Sequence, residues 1–143
     1  MNNMEIFNLT VADVFGQCFE NFPVRIEIDS LEIAYRIVEL YEEREILERT
    51  DLLTRESEVV FNAINWLIDS GYLWCNTSTG DLDFFGVVLT PKGLEVMNSI
   101  PASLQKIESF GSIFSKGVKK LGAETAIETV KIALALGVSQ INA

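Results

Sequence analysis

The sequence predicts a mainly α fold with one small antiparallel β-hairpin, continued at its C-terminus by a helical extension. Three observations carry this. Apolar residues recur at helical spacing through residues 11–22, 33–41 and 60–67. Residues 72–89 instead hold two aromatic and branched runs around a set of turn formers. Beyond Pro101 the composition shifts to Ser, Gly and Lys, and then, over 123–136, to a stretch that is apolar apart from Glu124, Thr125, Glu128, Thr129 and Lys131. A division at residue 100 follows, with a main domain over 1–100 and a C-terminal helical segment over 101–143.

Taken in order, the first helix is expected over Thr10–Phe22. Val11, Val14, Phe15, Cys18, Phe19 and Phe22 share one face, and Asp13, Gln17 and Glu20 the other. Thr10 and Asp13 stand at the spacing of a capping pair, and Pro23 ends the helix by driving its predecessor out of the α region. Val24-Arg25-Ile26-Glu27-Ile28 alternates apolar and charged residues, as a half-exposed strand does. Asp29, with Glu32 three residues on, opens a long helix to about Leu47, carried by Ile33, Ala34, Ile37, Val38, Leu40 and Tyr41. Its extension over 42–49 carries alternating charge, which suits a solvated face with i,i+4 pairs; a bend before Glu45 is the alternative.

Thr54 can cap the third helix, with Glu56 and Glu58 in its positive first turn. Val60, Ala63, Ile64 and Leu67 give its apolar stripe, and Gly71 stops it. Tyr72–Asn76 and Phe84–Leu89 read as strands joined through Thr77-Ser78-Thr79-Gly80-Asp81. Thr90-Pro91 restarts a helix, with the proline at the first position, where its missing N–H costs nothing. Gly111, Gly117 and Gly122 limit 103–121 to one or two short helices. Ala123–Leu136 is then a nearly all-apolar helix, expected to pack in the core or against a second copy. A membrane-surface helix assisted by Lys116, Lys119, Lys120 and Lys131, and a tail ordered by a partner, are the alternatives.

The run Gly71-Tyr72-Leu73, then the hairpin, then Leu89-Thr90-Pro91-Lys92-Gly93-Leu94 resembles the second half of a winged-helix domain, of the bacterial MarR-like and PadR-like kind. The order helix, strand, helix, helix, hairpin, helix agrees with that topology. The resemblance implies that the third helix is the recognition helix, that the hairpin is the wing, and that the first strand adds to the wing's edge. The long second helix departs from the pattern, because in such domains it is usually short.

Charge is unevenly placed. Residues 1–100 hold 18 acidic and 6 basic side chains, whereas 101–143 hold 3 and 5, for −10 overall. An acidic body repels nucleic acid and anionic lipid and attracts a basic protein. There is no histidine, so the commonest general base and the usual activator of a nucleophile are missing, and no enzyme is expected. Two cysteines, Cys18 and Cys75, without histidine cannot build a zinc site, and two reduced thiols in the cytoplasm are the reading. Asp81 and Asp83 lack the oxygen series of a Ca²⁺ loop, and the glycines form no nucleotide-binding pattern, so no metal or cofactor is expected. No basic-then-apolar leader and no membrane-length apolar stretch is visible.

Protein–protein interaction is therefore the expected function, in its specific form that of a small inhibitor or immunity-type protein that masks a basic site. Self-association through the C-terminal segment accompanies it. Candidate contact residues are Phe61, Trp74, Phe84, Phe85, Asp81 and Asp83, although Trp66 and Trp74 are expected in the core. Adjacent Phe84 and Phe85 must point to opposite faces of a regular strand. Two alternatives remain. One is a DNA-binding regulator, reading through Asn62 and Asn65 with Arg55 and Lys92 near phosphates, against the wrong sign of Glu58, Asp69, Asp81 and Asp83. The other is peripheral membrane association through residues 112–141.

Overall fold

A computed structural model describes residues 1–41, 50–78, 82–101 and 107–141. The fold is mainly α with a small antiparallel sheet. Its elements are α1 (Asn3–Asn21), β1 (Ile26–Asp29), α2 (Ser30–Tyr41), α3 (Thr50–Asp69), β2 (Leu73–Trp74), β3 (Thr77–Ser78), β4 (Asp83–Leu89), α4 (Pro91–Asn98), α5 (Phe110–Ser115), α6 (Val118–Leu121) and α7 (Ala123–Ile141). The extension expected for α2 beyond Tyr41 lies outside the described residues.

Helix α1 begins seven residues earlier than its apolar stripe suggests. Asn2 is the cap: its side chain accepts from the Glu5 N–H at 2.8 Å, and the Glu5 carboxylate accepts from the Asn2 N–H at 3.1 Å. Thr10 is no cap but a buried interior residue whose hydroxyl donates to the Ile6 carbonyl at 2.7 Å. Ile6, Leu9, Val11, Ala12, Val14 and Phe15 are all fully buried, so α1 is covered nearly all round and forms the axis of the core. Helix α3 likewise starts at Thr50, which leaves Thr54 inside it rather than at its cap.

Strand β4 is the centre of the sheet. On one edge β1 pairs with it (Ile28 opposite Phe84, Asp29 opposite Asp83); on the other, β2 and β3 pair in one continuous register (Leu73 opposite Leu89, Ser78 opposite Phe84). Thr77 and Ser78 are thus strand residues, not turn residues. Cys75 and Asn76 separate β2 from β3, opposite Gly86, which adopts φ +69° and has no room for a Cβ because the Asn76 amide occupies that space. Arg25, just before β1, donates to the Gly86 carbonyl at 2.8 Å and to Asn76 at 3.1 Å, beside the register shift between Ile26 and Ile28 in the β1–β4 pairing.

Thr90 caps α4 as its local sequence predicts, accepting from the Gly93 N–H at 3.0 Å and donating to the Gly71 carbonyl. The C-terminal helices close over α1. Gly16 and Phe114 bring α1 and α5 into backbone contact, and α7 lays Ala126, Val130, Ala133 and Gly137 inward in the same chain. One continuous core results, in which the Phe15 ring lies 5.6 Å from Tyr72 and 6.1 Å from Phe114. The outer side of α7 exposes Ile132 and Val138, so this helix is not buried all round. Among the described residues no helix is long and apolar enough to cross a membrane.

Candidate interaction surfaces

The first turns of α1 shape the surface around α3. They place Met4 and Phe7 beside Val59, Ala63 and Trp66, which recur on α3 at helical spacing, and together these line an open groove of about 500 Å³. Trp66 is 45 % exposed and Met4 62 %, so the core position expected of Trp66 is not the one it takes. Its indole is nonetheless held: the Phe7 ring meets it edge-on at 5.3 Å and Tyr72 stacks against it at 6.3 Å. Sequence reasoning missed this groove because it left residues 1–9 outside the first helix. The signal was Met4 and Phe7, three apart, behind an Asn2/Glu5 capping box.

Arg55, Glu58, Asn62 and Asp69 share the outward side of α3, and Asn65 is half-buried beside them. Arg55 is turned onto its own chain: it pairs with the buried Glu56 at 2.7 Å and donates to the Asn3 side chain at 2.7 Å and the Met1 carbonyl at 3.3 Å. Lys92 donates to the Ser70 carbonyl at 2.9 Å, at the C-terminal end of α3, with its ammonium 4.2 Å from the Tyr72 ring centre. Asn62 and Asn65 each donate to a carbonyl one turn back, Glu58 and Phe61 respectively. Both cations of this DNA-reading set therefore hold the fold together, while Glu58 and Asp69 stay exposed.

At the hairpin, Phe84 is fully buried against Phe61, ring centres 5.0 Å apart, and Phe61 is half-buried with it. Phe85, on the opposite face of β4, is also half-buried, as is Asp83. Trp74 is 52 % exposed, again not the core position expected. Asp81 lies outside the described residues. The structure thus leaves Trp74 accessible, places Phe84 in the core, and adds Trp66.

A second concavity, of about 540 Å³, lies between α1, α2 and the α5–α6 turn. Asp13, Gly16, Gln17 and Glu20 form its α1 wall. Asp13 and Gln17, expected on a solvated face, are respectively buried and half-buried, because Arg36 of α2 reaches across to that face of α1. The Asp13 carboxylate accepts two bonds from Arg36, at 2.8 and 3.0 Å, and one from the Gln17 amide. Arg36 also pairs with Glu32 at 2.9 Å, and its hydrogen bonds to Asp13 raise the guanidinium further above its ordinary pKa. Among the described residues no group of acidic or thiol side chains is arranged to hold a metal ion. Compared with known proteins, the chain matches no family model, no curated protein and no solved structure.

Proposed function

We propose that this chain is an acidic, non-catalytic protein of the winged-helix type that acts in the cytoplasm by binding a basic protein partner through the α1–α3 groove. The element order α1-β1-α2-α3-hairpin-α4, with β1 added to β4 opposite β2 and β3, supports the winged-helix reading. The observation that carries the binding reading is Trp66, an accessible indole held between two rings at the edge of a groove. Tryptophan is the residue most often found as an interface anchor, and its fixed orientation lowers the ordering cost of docking. Glu58 and Asp69 on the same helix, on a chain of net charge −10, select a partner of opposite sign. An inhibitor that masks a basic site is the specific form of this function, and the exposed Ile132 and Val138 of α7 are the surface for self-association. DNA reading is disfavoured because Arg55 and Lys92 serve internal contacts, so phosphate neutralisation, which supplies most DNA affinity, lacks its cations.

The test uses two amphipathic helical peptides of equal length, one built from Lys and Leu and the other from Glu and Leu. The Lys peptide is expected to shift the tryptophan emission and to bind more weakly as salt rises. Trp66→Ala should weaken it by about tenfold or more, with far-UV circular dichroism unchanged. Equal binding of the Glu peptide, or affinity unaffected by Trp66→Ala, sinks the reading. Binding of mixed duplex DNA at low salt with a steep salt dependence replaces it with the regulator reading.

A further inference from the structure

We propose that the cleft between α1, α2 and the α5–α6 turn binds a small organic cation, an amine or quaternary ammonium carried on an apolar body. The inference is independent of the groove and of the function proposed for it. At about 540 Å³ the cleft has the size of small-molecule sites, and it combines apolar walls with a few fixed polar groups. The polar floor is already satisfied. Asp13 is held by Arg36 and Gln17, and Arg36 is shared between Asp13 and Glu32, so the floor offers no free charge to a ligand and acts as a rigid base. The apolar walls come from Leu40 on α2 and Val118 on α6.

Recognition then falls to the mouth. Glu20 from α1 and Glu39 from α2 are both exposed lining residues, and neither forms an ion pair among the described residues. Among the residues that line the cleft, Lys119 on α6 is the cation that remains once Arg36 is assigned to its pairs. Two carboxylates against one ammonium leave the entrance negative, and the charge of −10 on the whole chain raises the local concentration of cations further. A carboxylate ligand entering by the same route meets both glutamates.

The experiment is an NMR titration of the ¹⁵N-labelled full chain at pH 7 and low ionic strength, with n-octylammonium, octanoate and n-octanol as probes of one tail length. Octylammonium is expected to give saturable shifts at the amides of Gln17, Glu20 and Lys119, and to bind more tightly than the other two. The double variant Glu20→Gln, Glu39→Gln alters only exposed side chains and should keep the native spectrum. It should weaken octylammonium by about threefold or more and leave octanol unchanged. The proposal is overturned by octanoate binding as tightly as octylammonium, by equal affinity in the double variant, or by no saturable shift at the cleft.

Discussion

Asp13 is buried with its side chain 6 % exposed, and its hydrogen-bond partners are Arg36 of α2 and Gln17 of its own helix. Arg36→Met is expected to leave that carboxylate with the Gln17 amide alone. The cost should be about 1–3 kcal/mol by urea denaturation at pH 7, below the usual range for a broken buried pair because Arg36 is itself 36 % exposed. Asp13→Asn, which keeps the shape and removes the buried charge, should cost less. The two thiols differ for a related reason. Burial pushes the Cys18 thiol up from 9.0 to about 12, whereas Cys75 is half-buried beside the Thr77 and Phe85 carbonyls. Iodoacetamide at pH 8 followed by mass spectrometry should label Cys75 in the folded protein and Cys18 only on unfolding. Because the Cys18 pKa is higher folded than unfolded, its contribution to stability is complete below pH 9.0 and is lost as pH rises towards about 12. Tyr72 is raised from 10.0 by burial as well and acts in the same direction. Thermal denaturation between pH 8 and 11 should therefore show a falling midpoint.

Helices α1 and α5 meet without side chains between them, since a Cβ on Gly16 would stand 2.3 Å from the Phe114 carbonyl oxygen. Gly16→Ala must push α5 away from α1. We expect a loss of about 1–3 kcal/mol in denaturant unfolding, as overpacking a rigid contact usually costs. Alanine would favour the helix intrinsically, by about 1 kcal/mol relative to glycine, so a net loss isolates the packing effect. This contact lies outside what a sequence reading of α1 can find. Glycine on a polar helix face is uninformative until the neighbour is known. The cap of α4 is the opposite case: Thr90, Pro91 and Gly93 lie within one turn, so the whole device is local and was legible. The start of α1 was equally local in Asn2 and Glu5, but the stronger apolar run further on drew the boundary to Thr10.

At the scale of the molecule, the C-terminal helices share the core of the first hundred residues. A fragment ending at residue 100 would expose the sides of α1 that now meet α5 and α7, including Phe15, together with the Tyr72 ring that packs on Gly137. It is expected to lose cooperative unfolding and near-UV circular dichroism while retaining helix in the far-UV, the signature of a chain with secondary structure and no fixed packing. A fragment that unfolds as cooperatively as the full chain would show instead that residues 1–100 form a self-sufficient domain.

By itself the sequence determined the mainly α class, the hairpin and its strand β4, the Thr90 cap, the opposite orientations of Phe84 and Phe85, and the acidic balance. All of these follow from composition or from spacing within a few residues. Only the tertiary structure decided that Trp66 and Trp74 are accessible, that Asp13 and Gln17 wall a cleft instead of facing solvent, and that Arg55 and Lys92 are bound to their own chain. Those outcomes rest on contacts between elements far apart in sequence. A periodic pattern shows that a helix has an apolar and a polar side, but not which neighbour covers either.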